Sequence, residues 1–152
     1  MALFVEEGET LLLSFDRADH LWAHDAPALP MGFDLVQSRE WSLLSLMSIG
    51  RTWFRDADVE GFLATLAESG FFDGFERVVI LGSGPDCGHA AARAAALVPG
   101  AVVLLNRPAA AMSARHAPFE TRFHTDRRRA DADTPPPLGP EALAEAARCF
   151  VF

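Results

Sequence analysis

The chain has 152 residues, half of them hydrophobic, with mean hydropathy +0.13, which suffices for one domain with its own core and leaves no need for a second. Its formal net charge of -8 and pI near 5.0 argue against a general nucleic-acid binder, because phosphate contacts need a basic face. No stretch reaches the ~18 apolar residues of a membrane span, and the first fifteen residues lack the basic start of a signal peptide, so a cytoplasmic protein is expected.

Cys87 and Cys149 lie far apart and form no metal-ligand pattern, so neither a disulfide scaffold nor a zinc site is implied. No cofactor is expected.

In chain order, Leu3 to Glu6 and Thr10 to Phe15 are apolar runs joined by Glu-Gly-Glu, which predicts a hairpin whose second strand enters the core and ends at Asp16. Asp16 to Gly32 is polar and Pro-containing and reads as a long loop with at most one helical turn, a length often tied to function. Trp41 to Ile49 reads as a buried strand, with a short helix as the competing reading. Asp56 is placed to cap a helix through its side-chain oxygen, with Val59, Phe62, Leu63 and Leu66 on one face and Gly70 at the stop.

The organising stretch is Arg77 to Val98. Val78 to Leu81 is a short β-branched run typical of a strand buried on both faces. Gly82-Ser83-Gly84-Pro85-Asp86 are turn formers, and from Gly88 the chain becomes Ala-rich and helical. Strand, glycine turn and helix in succession put any site at this turn, since ligands in open α/β sheets bind beyond the carboxyl ends of strands. Ala101 to Leu105 is a further strand, so alternation predicts an α/β fold with a mainly parallel sheet and flanking helices. Asn106 to Pro137 reads as a loop with one helix at most, and Pro140 suits the start of a helix over Glu141 to Arg148. The chain closes on the strand-like run Cys149-Phe150-Val151-Phe152, which predicts that the domain over 1–152 is incomplete at its C-terminus.

Several segments resemble bacterial members of the α/β-hydrolase fold: REWSLLSLM, the Trp53 to Asp56 helix start WFRD, the link GFFDGFERV at Gly70 to Val78, and the glycine turn leading into GHAAARAAALVPGAVVL. The resemblance runs from Thr10 to Phe152 and implies a nucleophile elbow after the central strand, acyl ester or thioester hydrolysis, and an oxyanion loop beginning here at Asp16 and Arg17. The departure is specific. Counting from Gly82, the nucleophile seat of G-x-S-x-G is filled by Gly84, while Ser83 and Cys87 stand one before and three after. A complete triad is therefore not expected, and a weakly active or inactive site is.

Ser83 and Cys87 remain the candidate nucleophiles, with Gly82 and Gly84 shaping the turn. Cys87 near a helix start can be a reactive thiolate or a small packing residue. His89 reads as a capping or packing histidine, because a residue two further along a helix points elsewhere. His20 and His24 have metal-ligand spacing but lack a catalytic Glu between them. His116 and His124 are unselected candidates for a general base, and Arg127 to Arg129, offset by Asp126, Asp131 and Asp133, reads as solvated surface.

Two alternatives remain. Ser83 to Cys87 loosely resembles the S-G-G-x-D-S phosphate loop of adenine-nucleotide hydrolases and sulfonucleotide reductases, and Asp86 to His89 resembles the E-C-G-x-H motif of phosphoadenosine phosphosulfate reductase, implying nucleotide binding. A non-catalytic binding module on a hydrolase scaffold, taking a small molecule or a protein partner, is the other.

Overall fold

The computed structural model describes residues 1–22, 29–50, 52–109, 111 and 140–152. Among these, six strands form one sheet: β1 (Ala2–Val5), β2 (Thr10–Arg17), β3 (Ser42–Ser48), β4 (Arg77–Ser83), β5 (Val102–Asn106) and β6 (Arg148–Val151), in the order β1-β3-β2-β4-β5-β6. Every pairing is parallel except β1 with β3. Helices α1 (Ala18–Trp22), α2 (Phe33–Arg39), α3 (Ala57–Glu68) and α4 (Pro85–Ala95) lie between the strands. The α/β fold with a mainly parallel sheet is thus present.

Alternation along the strands splits the core into two layers. Leu11, Leu13 and Phe15 of β2 join Val78 and Ile80 of β4 beneath α3 and α4. Leu12 of β2, Leu43 of β3 and Val79 of β4 meet Val36 of α2 on the other face. Leu11, Leu12, Leu13 and Phe15 are each fully buried, worth about 1.5–3 kcal/mol apiece against exposure. That double-sided burial is why these strands read as continuous apolar runs.

The chain leaves β2, crosses by α2 to β3 on one side, then returns by α3 to β4 on the other side. Crossovers of one hand must then lie on opposite faces, as α2 and α3 do. The reversal makes the gap between β2 and β4 the topological switch point, where ligands of open α/β sheets bind.

Five expectations need correction. The first two strands do not form a hairpin: β1 pairs with β3, because the link over residues 6–9 passes beneath the start of β3, where the Ser42 hydroxyl accepts the Glu7 and Gly8 N–H groups at 3.0 and 3.1 Å and donates to the Gly8 carbonyl at 2.8 Å. β2 runs past Asp16 to Arg17, and α1 follows it directly. Asp56 is the N-cap of α3 in extended conformation but makes no side-chain capping bond. After Pro140 there is only a 3₁₀ turn, Pro140–Leu143, before β6, and α4 starts at Pro85 rather than Gly88. The strand reading of Trp41 to Ile49 agrees with β3.

Candidate functional site

The site is built where β2 and β4 end. Register pairs Phe15 with Gly82 and Ser83 with Asn106, so Asp16, Ser83 and Asn106 follow one another across β2, β4 and β5 on the α2 face. The Asn106 side-chain amide donates to Ser83 Oγ at 2.9 Å, and the Asn106 carbonyl accepts the Gly84 N–H at 2.8 Å. Asn106 was missed from sequence, although a polar residue closing an apolar strand run was the available signal.

Asp16 is 8% exposed and acts inward. Its Oδ1 accepts the Arg17 N–H at 2.7 Å and its Oδ2 the Met31 N–H at 3.0 Å, which ties the end of β2 to the approach to α2. The backbone N–H groups of Arg17 and Met31 are therefore both engaged by the Asp16 carboxylate. Arg17 turns to Asp19 in an ion pair, with Nε 3.3 Å from Oδ1, and Asp19 also accepts the Gly50 N–H at 3.1 Å. The Arg17 hydrogen bond, ahead of the smaller contribution of Gly50, holds the Asp19 carboxyl below its usual range. These bonds lock the ends of β2 and β3 together.

On the opposite face Gly82 is obligatory. A Cβ there would lie 2.3 Å from the Cys87 carbonyl oxygen and 2.7 Å from Ala91 Cβ, so α4 can approach β4 only over a glycine. Gly84 is the N-cap of α4 at φ 87° and ψ 174°, a conformation essentially reserved to glycine. Gly84 offers no side chain to attack with. Pro85 follows, and proline has no N–H. In a nucleophile elbow the residue after the nucleophile supplies one oxyanion donor; a proline at that position cannot.

Ser83 and Cys87 are not brought together. Ser83 belongs to the α2 face, whereas Cys87, 4% exposed, packs into the core under α4. Burial foremost, then the charges of Asp86 and Asp16, push the Cys87 thiol far above its ordinary range, so it is protonated at neutral pH. A dipole at the helix start does not overcome that environment.

His89 is 1% exposed on α4, its Nδ1 3.4 Å from the Ala109 carbonyl and its ring edge-on to Trp53 with centroids 6.1 Å apart. Nε2 is buried and without a partner among the described residues. Desolvation, the largest cause, lowers its pKa and keeps it neutral. It packs against Trp53, and Trp53 and Phe54, at φ 60° and 54°, set their rings against His89 and Phe15. Two left-handed aromatic residues in succession cost roughly 1–3 kcal/mol each and persist only where surrounding packing over-determines them.

Asp16 and Asp86, 8% and 5% exposed, are the acids that bear on this turn, and Asp86 sits in the first turn of α4 where the helix dipole favours an anion. No group of His, Cys, Asp and Glu among the described residues could hold a metal ion. His24, His116, His124, Arg127 to Arg129, Asp126, Asp131 and Asp133 lie outside the described residues, as does the side chain of His20.

No protein-family model matches this chain, and neither does any curated protein or solved structure. No helix among the described residues is long and apolar enough to cross a membrane.

Proposed function

We propose that this chain is an α/β-hydrolase-like domain that binds an ester- or thioester-bearing small molecule in the crevice between β2 and β4, with hydrolysis at or close to the uncatalysed rate. The observation that carries the reading is the pair Gly84-Pro85 at the turn after β4: one residue removes the attacking side chain and the next removes an oxyanion N–H. The α/β fold with its mainly parallel sheet and flanking helices is compatible with the hydrolase-like part. The gap between β2 and β4 is the topological switch point, and Ser83 and Asn106 stand beside it with polar groups that can hydrogen-bond a ligand.

The test is hydrolysis of a short-chain p-nitrophenyl ester and of an acyl thioester by the parent, Ser83→Ala and Cys87→Ala. The expected result is no difference among the three. Turnover well above background that one substitution abolishes would overturn the non-catalytic reading and identify the nucleophile. The nucleotide-binding, reductase-like alternative draws less support, because a phosphate at this turn would meet the buried acids Asp16 and Asp86. Saturable binding of phosphoadenosine phosphosulfate would revive it.

A further inference from the structure

At the opposite, amino-terminal end of the sheet lies a cavity of about 480 Å³ that plays no part in the crevice. It is lined by Phe4, Phe71 and Phe75 together with Glu6, Glu7 and Glu9 of the link. The rings are fixed by edge-on packing: Phe71 lies 5.3 Å from Phe4 and 5.4 Å from Phe75, centroid to centroid. The link is equally fixed. Ser42, fully buried, takes the Glu7 and Gly8 N–H groups, and a Cβ on Gly8 would stand 2.1 Å from the Glu40 carbonyl oxygen. The Glu9 carbonyl accepts the Glu76 N–H at 2.9 Å, closing the other side. All three glutamates are exposed, and none forms an ion pair among the described residues.

Phenylalanines beside carboxylates that form no ion pair among the described residues suit one ligand chemistry. A compact metal ion needs converging oxygen ligands, and no described acidic group is arranged to hold one. A fully hydrated ammonium gains little from phenylalanine rings. A methylated ammonium carries its charge on an apolar surface, so it contacts rings through its methyl groups while the surrounding carboxylates supply the field. We propose that the cavity between residues 6–9 and the Phe71 to Phe75 turn binds a quaternary or methylated alkylammonium group. The inference does not rest on the reading of the β4 turn, and either can fail alone.

The same head group can come from a free small molecule or from a methylated lysine on another protein, and the titration separates the two. The full chain, labelled with ¹⁵N, is titrated with choline, with its neutral carbon isostere 3,3-dimethyl-1-butanol, and with a short peptide in trimethyl-lysine and unmodified forms. Saturable amide shifts at residues 4–9 and 71–75 are expected with choline and the methylated peptide. The isostere and the unmodified peptide should bind at least about tenfold more weakly. The tighter of the two positive probes identifies the source. The triple variant Glu6→Gln/Glu7→Gln/Glu9→Gln changes only exposed side chains and should weaken choline by about tenfold; Phe4→Leu, which keeps the apolar volume and removes the ring, should weaken it several-fold. No saturable shift up to about 10 mM, equal binding of the neutral isostere, or unchanged affinity in the triple variant overturns the proposal.

Discussion

Asn106 holds Ser83 and the turn beside it at once: its side-chain amide donates to the Ser83 hydroxyl at 2.9 Å, and its backbone carbonyl accepts the Gly84 N–H at 2.8 Å. The bond fixes Ser83 as an acceptor on the α2 face, across the sheet from Cys87 and its core. Both Asn106→Ala and Ser83→Ala should lower stability by about 0.5–1.5 kcal/mol. Because each removes the same bond, the double variant should fall short of their sum by a similar amount, measurable by urea unfolding at constant m. Full additivity would mean that the bond contributes nothing to stability.

The two glycines Gly82 and Gly61 should respond oppositely to alanine. At Gly82 the new Cβ meets the Cys87 carbonyl and Ala91, so α4 must be pushed off β4 at a cost of about 2–3 kcal/mol or more. At Gly61, inside α3, nothing stands within 4 Å and the backbone is helical, so Gly61→Ala should gain about 0.5–1 kcal/mol. Thermal unfolding of the two variants beside the parent measures both signs.

The two thiols should differ sharply in reactivity. Cys149 is exposed on β6, whereas Cys87 is buried with its thiol held protonated. With a thiol-specific reagent at neutral pH, Cys149 should react first and Cys87 slower by on the order of a hundredfold, at a rate set by opening of the fold. Urea should abolish the difference. A fast Cys87 in Cys149→Ser would revive the reactive-thiolate reading.

His89 makes stability depend on pH from the acid side. Burial lowers its pKa below the ordinary 6.5, so below that value the unfolded chain takes up the proton before the native one. The stability associated with the neutral ring is full above about pH 6.5 and is lost as pH falls through the lowered native value. In His89→Phe, which keeps a ring against Trp53, the part of the slope due to this group should vanish below about pH 6.5. An unchanged slope would show that other groups carry it.

Much of the local structure was legible in the residues themselves. The β-branched run Val78 to Leu81 reads as a strand buried on both faces, Thr10 to Phe15 as a strand entering the core, and Gly82 to Asp86 as a turn, because short β-branched apolar runs favour strands and glycine with proline ends them. Gly84 and Pro85 by themselves leave that turn without a side chain at one position and without a backbone N–H at the next. Sequence could not decide partners. Whether β1 pairs with β2 or β3 depends on how the Glu-Gly-Glu link is seated, and that is decided by the buried Ser42 hydroxyl, 34 residues away from Gly8. Whether Cys87 is a thiolate or a packing residue depends on the desolvation and the two acids around it, and whether Ser83 is free depends on Asn106 on the neighbouring strand. These are relations between residues distant along the chain, and only the packed sheet brings them within reach of one another.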